Sequence, residues 1–352
     1  MSQNPDFARF ADDVIVPPEP LFGWGEENKT LSEQVLIERV GQDKLAKDMP
    51  VAIRIGNPEE ILPEIATKWA TFQKSKGRGE GSCDWSLLDE FVLGTQLYWL
   101  PQIIGSCVVS NSFRGWVIRL MYQIGVLGLP MEYLGRSEFG PKNYSFYGPF
   151  SYGAARKRVN MRGGDGLYCE ALQQSFLKDG VIMCNTPELQ PILTSLNVAG
   201  DKDFPEPQRE SVYRRFGDWQ YIEQLRPYAD FVLEDCPIIN SEEELRQALQ
   251  SCRPCFFCSG IAIRKIGTHP DGFTIHGRDP NNSWAHNMCF HGFFFASDGE
   301  LFYVFSNESW GRQHLYIIRQ KEVDGWFKSR NVTSAAIGMI RGPKSSPPLL
   351  EI

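Results

Sequence analysis

Gln102-Ile103-Ile104-Gly105-Ser106-Cys107 leads into the run Val108–Ile124, and this stretch decides how the chain is read. Val109, Phe113, Trp116, Val117, Leu120 and Ile124 recur at helical spacing, which predicts a long helix with an apolar face. Ser106 stands where an N-cap belongs, because its hydroxyl can accept one of the free backbone N–H groups of the first turn. Cys107 then falls in that turn, where unpaired N–H groups and the helix dipole favour a thiolate over a thiol. On this stretch alone, a small buried apolar residue is the plainer reading of a lone cysteine. A nucleophile needs partners from elsewhere in the chain.

Composition narrows the classes. The 352 residues are 42% hydrophobic and 22% charged, ordinary globular material for one large domain or two. The net charge of −7 comes without any Lys/Arg-rich run, which argues against a nucleic-acid partner. No apolar run reaches membrane-spanning length. Met1–Phe10 is polar and acidic, unlike a signal peptide, so a cytoplasmic or virion setting is expected. The nine cysteines are scattered, and without an export signal they read as reduced thiols.

Residues 1–83 form an N-terminal extension, with a helix expected at 28–46, a strand at 51–55 and a helix at 58–72. The Gly-rich charged stretch Lys74–Ser82 marks its boundary. Beyond it, Gly135–Gly153 reads as an aromatic surface loop and Arg156–Arg162 as an exposed basic segment. Gly163-Gly164-Asp165-Gly166 precedes a helix that stops near Gly180. Ser241-Glu242-Glu243-Glu244 is a capping box that opens another. Strands are expected at Cys255–Ile263, Phe273–Ile275, Ala285–Ala296, Leu301–Ser306, Leu315–Arg319 and Ala335–Ile340, with a loop at Gly277–Ser283 and a hairpin turn at Ser297-Asp298-Gly299. Helices early and strands late predict an α+β fold, a helical lobe (about 84–190) against an antiparallel sheet or partial barrel (about 230–345).

A thiol needs a base. The chain offers His269, His276, His286, His291 and His314. His286 and His291 share one predicted strand at an odd separation, so only one of them faces a cleft between the lobes.

In chain order, Gln102, Gly105-Ser106-Cys107, Gly163-Gly164, His286 with Gly292 six residues on, and Asn307-Glu308-Ser309-Trp310-Gly311 resemble the motifs of papain-like cysteine peptidases. The resemblance covers about 84–320. It implies a two-lobed fold whose central helix starts at the nucleophile, with 84–352 as the papain-like domain. It also implies a mechanism: Cys107 attacks a carbonyl carbon, His286 moves the proton and Asn307 orients the imidazole. Trp310 shields that hydrogen bond, Gln102 and the Cys107 N–H hold the oxyanion, and Gly163-Gly164 bind the substrate backbone. The chain departs from the family at Val108, where an aromatic is usual, and at Ile104, where a cysteine is usual. Gln102 is one residue closer to the thiol, Glu308 is an extra residue, and residues 1–83 show no inhibitory prosegment.

The expected function is thus cleavage of peptide or amide bonds in a peptide or protein substrate. The second reading is the same fold as a structural or assembly component, such as a bacteriophage virion part, with a weak or silent site. Cys252-Arg253-Pro254-Cys255-Phe256-Phe257-Cys258 has a spacing that suits zinc or an iron–sulfur cluster. It lacks a fourth ligand and reads as a strand entry, so no metal and no cofactor are expected.

Overall fold

The computed structural model describes residues 63–93, 104–125, 146–182, 189–198, 206–229, 231–307 and 315–341. The helix expected at 28–46, the strand at 51–55, Gln102, His314 and Trp310 lie outside the described residues.

The predicted central helix is α3 (Cys107–Gly125). Val109, Phe113, Trp116, Val117 and Leu120 are buried as the periodicity requires. Its polar residues Asn111, Ser112 and Arg114 are buried as well, so the helix is enclosed on every side. Before it come α1 (Pro63–Ser75), β1 (Cys83–Asp84) and α2 (Leu88–Leu93). After it come α4 (Gly148–Arg158), α5 (Cys169–Lys178), α6 (Leu189–Ser195), α7 (Glu206–Gly217) and α8 (Ile222–Leu225). The strand-rich part holds β2 (Val232–Leu233), β3 (Ile238–Ile239), α9 (Glu242–Gln250), β4 (Cys255–Thr268), β5 (Thr274–Phe295) and β6 (Leu301–Ser306). It ends with β7 (Leu315–Arg319), α10 (Gln320–Lys328), β8 (Val332–Ala336) and β9 (Ile340–Arg341). The α+β class expected from the sequence is the one observed.

Among the described residues the main sheet has seven strands in the order β3-β8-β4-β5-β6-β7, with β1 added to β5. Its neighbours are antiparallel, except that β5 also meets β7 in a parallel bridge at His276 and Ile318. That second pairing curls the sheet back on itself. Both faces are covered. Phe256 packs with Trp116 and Phe176 on the α3/α5 side, while Phe257 joins Phe290, Phe305 and Trp326 on the α9/α10 side. Adjacent strand residues point to opposite faces, so two covered faces explain why Cys255–Ile263 is almost continuously apolar. On α1, Trp69 stacks on Trp85 at 5.1 Å between ring centroids. The helix lies on the far side of the expected boundary yet shares the α3 core.

The capping box forms: Ser241 Oγ accepts the N–H of Glu244 at 3.1 Å. The reciprocal bond goes one residue earlier than the motif predicts, from the Asn240 N–H to Glu244 Oε2 at 2.7 Å. At Gly115 an added Cβ would fall 2.5 Å from Ile337 Cδ1 and 3.1 Å from Cys289 Sγ. Absence of a side chain there lets α3 lie directly on the sheet.

Four expectations need correction. Gly148–Gly153 belongs to α4 rather than to a surface loop, with a proline in its first turn and Phe150 and Tyr152 in the core. Arg156, expected to be exposed, is fully buried. The span 277–283 continues β5 instead of leaving the sheet, although Ile261 pairs with Ser283 and Ile263 with Arg278, so the strand carries excess residues there. Asp279 holds that excess by accepting the N–H of Asn281 at 3.0 Å and Asn282 Nδ2 at 2.6 Å. Finally, the cysteines are not all reduced: Cys169 at the start of α5 is joined to Cys258 on β4, with Cα atoms 6.5 Å apart. A separation of 89 residues leaves no local signal of that pairing.

Candidate active site

The start of α3 meets the middle of β5. Cys107 is the first residue of the helix, and the Ser106 carbonyl accepts the N–H groups of Val109 and Ser110 at 3.0 Å each. Backbone N–H groups of Asn287, across the interface, and of Val108 and Cys107 itself pull its thiol down. Asn287 directly follows His286. The helix start that carries Cys107 therefore adjoins the stretch of β5 that carries His286.

The β5–β6 hairpin supplies the third residue. It turns at Gly299, whose φ of 83° suits glycine, and pairs Cys289 with Ser306 at its open end. Just beyond that end, His286 Nε2 lies 2.9 Å from Asn307 Oδ1. An amide oxygen only accepts, so Nε2 carries the hydrogen and Nδ1 is the basic nitrogen.

Burial sets the protonation of this pair. Cys107 is fully buried, and loss of water pushes its thiol up to about 11 against the opposing pull of the three N–H groups. His286 is pushed down to about 4 by burial, with the Asn307 contact acting in the other direction. Burial thus opposes the thiolate that a helix start favours, because an ion away from water is costly.

Two asparagines complete the junction. Asn111 Nδ2 donates to the Cys107 carbonyl at 3.1 Å and to the Asn287 carbonyl at 2.7 Å, tying helix to strand. Asn287 Nδ2 points at the sulfurs of Cys169 and Cys258, at 3.3 and 3.4 Å. Neither was singled out from the sequence, although Asn111 lies four residues after Cys107, one turn along the same helix face.

Gly163 and Gly164 are exposed, with φ of 69° and 61°. The Gly163 N–H goes to Asp218 Oδ1 at 3.1 Å. Tyr152 shares the core cluster that holds Cys107, and its phenol is pushed up to about 12, chiefly by burial. Arg156 Nη1 lies 3.3 Å from the Tyr152 hydroxyl.

The other described histidines serve other contacts. His291 is buried against Ser306 Oγ at 2.7 Å, and His276 Nδ1 accepts the Ile317 N–H at 3.3 Å. His269, Asp298 and Glu300 converge closely enough to suggest an ion. However, His269 Nδ1 accepts the Asp271 N–H at 3.1 Å, which leaves Nε2–H to face Asp298 at 3.2 Å and offers an ion no lone pair. Glu300 is also engaged by Arg319 Nε at 2.8 Å. The Cys252/Cys255/Cys258 run is divided: Cys258 is in the disulfide, and Cys255 Sγ points at the Arg253 carbonyl at 3.2 Å. Among the described residues no helix is long and apolar enough to cross a membrane.

Similarity in shape runs to cysteine proteases. Xylellain from Xylella fastidiosa superposes with a TM-score of 0.44 and 13% identity over 70% of this chain and 85% of its own. Procathepsin B from Trypanosoma congolense gives 0.40 and 12% over 96% and 89%. The bromelain protease from Ananas comosus gives 0.39 and 11% over 74% and 100%. No family profile and no curated relative matches the sequence.

Proposed function

We propose that the chain is a papain-like thiol hydrolase that cleaves peptide or amide bonds, with 84–352 as its catalytic domain. The observation that carries this reading is the junction itself: Asn111 Nδ2 bridges the carbonyl of Cys107 to that of Asn287, the residue after His286, while His286 Nε2 lies 2.9 Å from Asn307 Oδ1.

Because the resting pair is neutral, the base acts during attack rather than before it. His286 Nδ1 takes the thiol proton as Cys107 Sγ bonds to the carbonyl carbon, and the carbonyl π electrons move to oxygen. The oxyanion is received by the Cys107 N–H and by Gln102; each donor of this kind contributes about 3–4 kcal/mol where it has been removed by mutation. Collapse breaks the C–N bond, and imidazolium returns the proton to the leaving amine. Water, deprotonated by His286, then attacks the thioester and releases the acid and the thiol. Asn307 keeps Nδ1 aimed at the sulfur throughout, Trp310 shields its bond to His286, and Gly163-Gly164 hold the substrate backbone. Since Cys107 is fully buried, the peptide must displace what covers it.

A dipeptidyl epoxide tests this. Cys83, Cys107, Cys236, Cys252 and Cys255 all have thiols raised by burial, so none is intrinsically a thiolate at neutral pH. Peptide mapping is expected to find the label on Cys107 alone, the one thiol to which this reading gives a base. Labelling spread evenly over the thiols, or unchanged in His286→Ala, would sink the reading.

A further inference from the structure

Arg156 is a fully buried charge that the chemistry above leaves unused. Its guanidinium meets five acceptors, none of them a carboxylate. Nε donates to the Gly217 carbonyl at 3.3 Å. Nη1 donates to the Gly166 carbonyl at 2.5 Å and the Tyr152 hydroxyl at 3.3 Å. Nη2 donates to the Gly163 carbonyl and, more distantly, to that of Gly164 at 3.5 Å. A buried cation without a counter-ion is costly unless its hydrogens are satisfied, and here neutral oxygens satisfy them.

The consequence lies in the loop. Carbonyls from 163, 164 and 166 are drawn inward onto one rigid fork, and the Gly163 N–H is tied to Asp218. Gly163 and Gly164 have nothing within 4 Å of where a Cβ would be, so their outer edge is bare. The fork also reaches Tyr152, which packs in the core cluster that holds Cys107. The geometry points to Arg156 as a positioning residue, which holds Gly163–Gly166 from beneath in the shape that receives a peptide backbone beside the thiol. This rests on the thiol-hydrolase reading and adds a residue to it. Lysine keeps the charge but lacks a planar fork that serves three directions together.

The experiment compares two alkylators on full-length protein at pH 9. Iodoacetamide reports the Cys107 thiol alone, while a dipeptidyl epoxide also needs the loop. Arg156→Lys is expected to slow the epoxide about tenfold or more and to change the iodoacetamide rate by less than about twofold, because a small misplacement of a binding element acts on positioning. Amide exchange at 163–167 is expected to speed up in the same variant. Should Arg156→Lys fail to fold by circular dichroism, Tyr152→Phe removes a single anchor of the fork and is expected to give the same split, at about threefold. Equal loss with both reagents, or loss with neither, overturns the proposal. A wild-type Cys107 that takes iodoacetamide but resists the epoxide overturns the hydrolase reading, and this one with it.

Discussion

Replacing His286 with glutamine is expected to lower kcat/KM for a peptide substrate by about 10⁴-fold, while making the fold less sensitive to acid. The first effect follows from the neutral resting pair. With the Cys107 thiol held at about 11, almost none is ionised at pH 7, so attack depends on a base at the moment of reaction. The second follows from burial. In the unfolded chain a histidine titrates near its ordinary value, about 6.5, whereas in the fold His286 titrates near 4. Between those values the unfolded state binds more protons, so stability is complete above about pH 6.5 and is lost progressively as pH falls towards 4. The loss amounts to about 3 kcal/mol for this residue. Glutamine does not titrate, so the variant should lose about 3 kcal/mol less than the wild type between pH 7 and pH 4. Urea titrations at the two pH values measure the difference. Equal acid losses in the two proteins would mean that His286 is not buried as described. His276 and His291, also lowered by burial, keep the variant acid-sensitive in part.

The largest effect on stability is expected at Asp89. Asp89 Oδ2 and Arg114 Nη1 are 2.5 Å apart, and both side chains are fully buried. The pair ties α2 to the helix that carries Cys107. Asp89→Ala removes the carboxylate from a buried guanidinium, which costs about 3–5 kcal/mol where such pairs are broken. For a domain of this size that corresponds to roughly 5–9 °C in Tm. The double variant Asp89→Leu/Arg114→Met is expected to recover most of the loss, because no charge then remains away from water. Calorimetry on the single and double variants decides the point: a single variant within about 1 kcal/mol of wild type would show that water reaches the pair.

The legible parts of this chain are those whose signal is local. Gly-Ser-Cys followed by apolar residues at helical spacing located the start of α3 to the residue. Ser297-Asp298-Gly299 located the hairpin that brings Asn307 back beside His286. The odd separation of His286 and His291 anticipated that they would serve different contacts, as they do with Asn307 and Ser306. What stayed hidden depends on distant neighbours. Arg156-Lys157-Arg158 has the look of a solvated segment, and only carbonyls brought in from 163–166 and 217 make burial of Arg156 tolerable. The burial of Cys107 is hidden too, because the helix start is visible in sequence and the enclosure around it is not. Helix α10 has the spacing of Val323, Trp326 and Phe327 but no start signal, since it follows β7 without a break.

The bond between Cys169 and Cys258 encloses everything from α5 to β4 in one covalent loop of the chain. A protease that nicks the backbone anywhere inside that loop leaves two pieces that still travel as one molecule, on a gel or in a mass spectrometer, until a reductant separates them. A cut of that kind would therefore leave a non-reducing gel unchanged, and before reduction only the added mass of one water would betray it.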